Sequence, residues 1–421
     1  MRYDLIISKS SRSRHALLGE SNMRHITFLS LLAAIGLGLA IPAVHSADTT
    51  GSQAQTPAHK STAIKTSGPL SIAQQGYFYV NGQYTTSKDG QIMVGQMFVQ
   101  YQIPQARTQK YPIIMVHGGG QTGTNFLGTP DGRPGWAEYF LRQGYAVYVV
   151  DQPGRARSGY FTDIYGPTRR PNAKAMSERF TAPALVELYP QAKLHTQWPG
   201  KGVPGDPIFD QFFASQMEDM LNLTALEDMN RNAGAALLDK IGPAILLTHS
   251  QSGPFGWGIA DLRPQLIKGV LAVEPSGPSF YEAAMTGAPG WFKDGPISRA
   301  WGITRMPMTF DPPASEAKDL VMVRQEKADS EGLVRCWQQD APARQLVNLK
   351  NIPILILTSE ASYHVPYDHC TSKFLTQAGV KHQFVRLPEV GIRGNGHMMM
   401  LEKNNLEVAA FLGGWVAKNV K

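Results

Sequence analysis

The apolar residues of this chain change rhythm near Tyr111. Before it, residues 76–82 and 92–103 mix aromatic and β-branched residues with polar ones, as two antiparallel strands separated by a turn at residues 87–90 would. Beyond it, the runs 113–116, 145–150, 244–247, 269–273 and 352–357 are rich in Val, Ile and Leu and do not alternate. Such runs predict parallel strands covered by helices on both faces, and residues 382–387 fit a final strand. Helical spacing lies between them at 136–143, 212–228, 256–266 and 405–418. The predicted fold class is therefore α/β, with a mostly parallel central sheet flanked by helices. No internal repeat interrupts the pattern, but two long excursions do. Residues 160–210 are proline-rich and predict a pocket wall, and residues 277–345, rich in Gly, Pro, Met and Trp, predict a cap inserted after strand six. Trp257, Phe280, Tyr281 and Trp291 would line an aromatic pocket or simply hold the cap together.

Two of the buried runs end in chemistry. Residues 244–247 lead to Thr248-His249-Ser250-Gln251-Ser252-Gly253, where Ser250 has small neighbours two positions to either side, as a tight strand-to-helix turn requires. Glycines are absent from those two places, and a plain strand exit with a helix N-cap is the competing reading. Gly253 and Gly256 would let the following helix approach the strand closely. The run 113–116 ends in His117-Gly-Gly-Gly120-Gln-Thr-Gly123, whose backbone N–H groups can face developing negative charge. It has neither the P-loop spacing nor a dinucleotide fingerprint.

A serine nucleophile needs a base, and the base needs a carboxylate to hold its tautomer. Among the 11 histidines, His397 follows the last strand and precedes the last helix in Gly394-Asn-Gly-His397. His117 would brace the glycine loop, and His249 would project away from the reaction face. His364, His369 and His382 read as surface or core. Two carboxylates compete, because Glu274 follows residues 269–273 directly and Glu360 follows the run ending at Leu357. No spacing calls for a metal, and no cofactor is expected.

His117 to Gly123, Thr129-Pro-Asp-Gly-Arg133-Pro-Gly-Trp136, Asp151-Gln-Pro-Gly-Arg155-Ala-Arg157-Ser158, Thr248 to Ser252, Val273-Glu-Pro-Ser-Gly277 and Gly396-His397 together resemble a group of secreted bacterial serine esterases of the α/β-hydrolase superfamily. The acid of that group is a glutamate after strand six. The resemblance implies Ser250 as nucleophile, His397 as base, Glu274 as acid, and the backbone N–H groups of Gly119 and Gln251 as oxyanion hole. Glu360 stays as the alternative acid from the residues alone. One member type carries adjacent cysteines where this chain has Gly119 and Gly120, so a disulfide-stiffened hole is not implied. The expected activity is hydrolysis of a small-molecule carboxylic ester. Acyl transfer, amide hydrolysis and carbon–carbon cleavage are alternatives on the same fold, and a silent binding protein is a further one.

Composition narrows the setting. The chain has 421 residues, 43% of them hydrophobic, which suits a folded domain with a substantial core. Of its formal charge of +7, part belongs to the first 47 residues, and no basic run interleaved with aromatics follows, so nucleic-acid binding is not expected. Residues 26–41 are apolar, follow basic residues and end in small ones, as in a secretory signal peptide over 1–47 whose true start is Met23 or Met1, with a retained N-terminal anchor as the competing reading. Residues 48–67 read as a flexible linker, and no span in the mature chain is predicted to cross a membrane. Cys336 and Cys370 are the two cysteines, expected to bridge in an exported protein, with free thiols as the alternative.

Overall fold

A computed structural model describes residues 68–421; the expected leader and linker lie outside the described residues. The core is an eight-stranded sheet. Its strands are β1 (Ile72–Val80), β2 (Met97–Pro104), β3 (Ile113–Val116), β4 (Val147–Asp151), β5 (Ala244–His249), β6 (Ile267–Val273), β7 (Ile354–Thr358) and β8 (Gln383–Arg386). They lie in the spatial order β1-β2-β4-β3-β5-β6-β7-β8. β2 runs antiparallel to β1 and β4, and every pairing from β4 to β8 is parallel.

The unbroken apolar runs follow from burial on both faces. Ile114, Val116 and Leu246 belong to one core, with Trp257 and Ile354. Ile113, Met115, Ile245 and Leu247 belong to the other, with Trp136 and Leu412. Helix α1 (Trp136–Arg142) and the C-terminal helix cover the second face, whereas Leu237 and Ile259 come from helices on the first. Alternate residues of one strand are thus apolar for the same reason in opposite directions.

The leading segment is more elaborate than two strands. A turn does fall at Ser87–Gly90, but it closes a small hairpin, Gln83–Ser87 with Gly90–Val94, that projects between β1 and β2. The single helix expected over 212–228 is two. Helix α2 (Pro207–Ala214) stops short, and α3 (Leu223–Ile241) begins at Asn222, whose side chain accepts from Ala225 N at 3.0 Å. Between them Asp219–Met220 pairs with Thr168–Arg169, and Met217 N donates to Gly120 O at 2.7 Å. Long-range partners beside the glycine loop thus divert a segment that helix periodicity alone would continue. Helix α4 (Ser252–Leu262) starts four residues earlier than its apolar spacing suggests. Pro254 is tolerated in that first turn, where its missing N–H has no role. The longer of the remaining helices are α5 (Asp368–Gln377) and α6 (Asn405–Asn419).

The excursion after β6 contains an antiparallel hairpin, Phe280–Gly287 with Trp291–Arg299. Cys336 and Cys370 form a disulfide between its distal part and α5. No helix among the described residues is long and apolar enough to cross a membrane.

Candidate functional site

Ser250 is the first residue beyond β5 and takes φ +55°, a conformation unfavourable for a residue with a Cβ. The surroundings hold it there. Ser250 N donates to Val273 O at 3.1 Å, and its carbonyl accepts from Gly253 N and Ser276 N at 2.9 and 2.8 Å. Space explains the small neighbours. A Cβ on Gly253 would lie 2.4 Å from Pro275 Cβ, and one on Gly256 2.8 Å from Thr248 Cγ2. Gly256 therefore makes room for Thr248 in place of a glycine. Ser252 is no spectator, since its hydroxyl donates to Val116 O at 2.8 Å and accepts from His249 N at 2.8 Å, pinning the turn to β3.

The glycine loop after β3 lies against this turn, and a Cβ on Gly118 would come within 3.1 Å of Ser250 Cβ. The backbone N–H groups of Gly119 and Gln251 donate to no protein acceptor among the described residues, and both residues line the same cavity as Ser250. His117 braces the loop. Its Nδ1 faces Gly118 O at 2.9 Å and its Nε2 accepts from Gln152 N at 3.2 Å, which fixes the proton on Nδ1. Burial, with Arg155 adding to it, lowers its pKa to about 4, so the ring is neutral. Arg155 donates to Gly118 O at 3.0 Å and pairs with Asp219. Asp151 accepts from Gly123 N at 2.8 Å and binds Arg157 at 2.6 Å. The polar residues at the end of β4 and just beyond it are thus scaffolding for the glycine loop.

Glu274, the first residue past β6, also has positive φ, +43°, and is buried. Its Oε1 accepts from Ser359 N at 2.8 Å and Ser359 Oγ at 2.6 Å. Its Oε2 accepts from Ser362 Oγ at 2.7 Å and faces His397 Nδ1 at 2.6 Å. Burial pushes the Glu274 carboxyl up, and His364 and the serine donors oppose that. Four donors around two oxygens leave no lone pair for a proton, so the carboxylate is the form this site holds. Burial, then His364 and Arg179, press His397 well below the ordinary histidine range. The consistent assignment is a neutral imidazole with its proton on Nδ1 and Nε2 free to accept.

Nε2 meets the hydroxyl of Tyr363 at 3.3 Å, and Ser250 acts on that same phenol. Burial raises the Tyr363 pKa, keeping the hydroxyl protonated as a donor to Nε2. No direct hydrogen bond joins Ser250 to His397; the phenol occupies that position. Nothing in the sequence signals Tyr363, five residues beyond β7 in an unremarkable loop.

Glu360, the alternative acid, points elsewhere. It pairs with Arg393 at 2.7 Å and accepts from Gly394 N at 2.6 Å, anchoring the loop that carries His397. Glu402 holds the same loop through Gly396 N at 2.9 Å and Asn395 Nδ2 at 2.8 Å, with His195 on its other side at 2.7 Å. Arg133 donates to the carbonyls of Leu401, Glu402 and Lys403 and to Asn405 Oδ1, all at 2.9–3.0 Å. Trp136 Nε1 donates to Asn405 O at 2.8 Å. The segment Thr129–Trp136 thus fastens the loop bearing His397 to the sheet from more than 260 positions away.

Two other histidines are closer to this centre than expected. His249 does not project away from it but donates through Nε2 to His397 O, 3.0 Å away, with the rings 4.4 Å apart. His364 stacks on His397 at 4.6 Å and binds Asp368 through Nδ1 at 3.0 Å. Glu274, His364 and His397 converge closely enough to suggest a metal, yet the oxygens of Glu274 are already filled by the serine donors and His397. His369 approaches Cys336 Sγ at 3.2 Å, but that sulfur is committed to the disulfide.

The cavity over Ser250 has a volume of about 500 Å³ and is walled by both excursions. Its aromatics are Phe180, Phe255, Tyr363 and Tyr367. Trp257, Phe280, Tyr281 and Trp291 are not among its lining residues, so of the two readings the pocket-lining one does not hold. Trp257 and Phe280 are buried in the core, and Tyr281 stacks on Trp337.

Residues 113–411 match the Alpha/beta hydrolase family. The chain belongs to this family. A fungal relative named probable secreted lipase phiG, from Fungal sp. (strain ATCC 74256), is 45% identical over 344 residues, covering 81% of this chain and 89% of its own. A solved structure titled as that of a novel bacterial esterase superposes with a TM-score of 0.55 at 27% identity, over 84% of this chain and 98% of that one. In this alpha/beta hydrolase, the serine turn follows β5, the buried glutamate follows β6 and the histidine precedes the last helix.

Proposed function

We propose that this chain is an exported serine hydrolase that cleaves carboxylic esters through an acyl-enzyme. The observation that carries the reading is the 2.6 Å contact of His397 Nδ1 with a carboxylate whose other lone pairs are filled, which fixes Nε2 as the acceptor beside Ser250 and Tyr363. Ser250 Oγ attacks the ester carbonyl and passes its proton to His397 Nε2. Glu274 stabilises the imidazolium that forms, and the free N–H groups of Gly119 and Gln251 receive the oxyanion. The alcohol departs with the proton from His397. Water then attacks the acyl carbonyl, giving a proton to the same Nε2; the bond to Ser250 Oγ breaks, Oγ takes that proton back and the carboxylic acid leaves. Tyr363 holds Nε2 in place before substrate arrives and yields that position as the reaction begins. The names lipase and esterase carried by the relatives support an ester as substrate, and the name secreted supports export.

Ser250→Ala tests the reading. Hydrolysis of a 4-nitrophenyl ester should fall by several orders of magnitude, and a fluorophosphonate should label Ser250 in the wild-type protein, located by mass spectrometry. Retained hydrolysis, or labelling elsewhere alone, would overturn the assignment.

A further inference from the structure

The cavity over Ser250 is rich in guanidinium groups, which is unusual for a site receiving a plain aliphatic acyl chain. Arg169, Arg170, Arg179, Arg299 and Arg305 line it, against Asp219 and Glu282. Including the groups directly behind that wall (Arg155, Glu218 and Glu227), six guanidinium groups meet four carboxylates. Most are accounted for. Arg299 binds Glu282 at 2.9 Å, Arg305 lies 3.6 Å from Glu227, Arg170 binds Glu218 at 2.8 Å, and Asp219 serves both Arg155 and Arg169.

Arg179 is different. Among the described residues it has no carboxylate partner and makes no hydrogen bond. Its guanidinium carbon lies 6.0 Å from the centre of the Tyr363 ring, whose hydroxyl is 3.3 Å from His397 Nε2. The next residue, Phe180, stacks on the His397 ring at 5.1 Å, so the segment bearing Arg179 is packed against the centre. Its charge already acts on both Tyr363 and His397. A planar, permanently charged fork of this kind matches a carboxylate in a bidentate fashion.

We infer that the ester cleaved here carries its own carboxylate, a few bonds from the scissile carbonyl, and that Arg179 receives it. This rests on the hydrolase reading above and deepens it. The path from Arg179 across the Tyr363 ring to His397, 6.0 Å to the ring centre and 3.3 Å beyond its hydroxyl, is one that a short spacer can span. Neutral long-chain esters would instead lay methylenes against charged groups, with no gain from them.

Matched esters decide it, followed by proton release at constant pH. Monoethyl glutarate against ethyl pentanoate puts the charge on the acyl side; 4-acetoxybenzoate against its methyl ester puts it on the alcohol side. In at least one pair kcat/KM should favour the anion by about tenfold or more, the size expected of one charge-assisted hydrogen-bonded contact. Arg179→Gln should collapse that ratio by a similar factor, and Arg179→Lys should retain part of it. Raising the ionic strength should shrink the wild-type ratio. Preference for the neutral partner in both pairs, or a ratio unchanged in Arg179→Gln, overturns this inference and leaves ester hydrolysis standing. Failure to cleave any of the four esters overturns the hydrolase reading as well.

Discussion

Replacing Glu274 by glutamine keeps the size of the side chain and changes what it can accept. The carboxylate takes two donors on each oxygen, at 2.6–2.8 Å. An amide offers one oxygen with two lone pairs and an NH2 group that accepts nothing. With the NH2 at the Oε1 position it confronts Ser359 N–H, a backbone donor that cannot rotate, and leaves it buried without a partner at a cost of about 1–3 kcal/mol. With the NH2 at the Oε2 position it confronts the rotatable Ser362 hydroxyl and His397, which can exchange tautomers. The second arrangement is the cheaper, and it places the His397 proton on Nε2, where a base for Ser250 is needed. The wrong tautomer then costs about four orders of magnitude in kcat, equivalent to roughly 5 kcal/mol of barrier. Glu360→Gln is the matched control. Its amide oxygen can still accept from Gly394 N, and the pair it loses involves a largely exposed arginine, worth about 1 kcal/mol or less. Steady-state hydrolysis of 4-nitrophenyl acetate, with circular dichroism to establish that each variant is folded, separates the two. A folded Glu274→Gln protein with more than a tenth of wild-type kcat would refute the reasoning, as would an equal loss in Glu360→Gln.

The remaining predictions concern the scaffold. The pKa of His117 is depressed from 6.5 to about 4 by burial, so the unfolded chain binds a proton between those values and the folded chain does not. Its contribution is complete above pH 6.5 and lost as pH falls to about 4, and the shift amounts to roughly 3 kcal/mol for this group alone. Urea melts at pH 7 and pH 4.5 should show a smaller acid-induced loss in His117→Asn than in wild type, and parallel losses would contradict the assignment. Gly253→Ala drives a Cβ to 2.4 Å from Pro275, on the turn that carries Glu274. It should destabilise the protein by about 1–3 kcal/mol and slow ester hydrolysis; a wild-type melting curve would count against the packing argument.

The sheet was legible because burial on both faces leaves an unmistakable residue record. Runs such as 113–116 and 269–273 coincide with β3 and most of β6, and the positions after β3, β5 and β6 are where the strands end. Turn chemistry was legible too: Gly253 and Gly256 mark the close approach of α4, and the atoms a Cβ would meet at each show what they make room for. Local pattern failed where a distant partner overrode it. Residues 215–222 leave the helical path because Gly120 and Arg155 claim them.

By itself, then, the sequence determined the fold class, the serine turn, the glycine loop and the loop bearing His397, since each depends on backbone geometry that a few neighbouring residue types must satisfy. Which of Glu274 and Glu360 lies against His397 was decided only by the tertiary structure. Both follow buried strands, and the difference lies in where each side chain finds donors: Ser359, Ser362 and His397 for one, Arg393 and Gly394 for the other. Tyr363 and Arg179 likewise acquire meaning through neighbours contributed by remote segments, and no periodicity or spacing records which side chains will meet across a cavity.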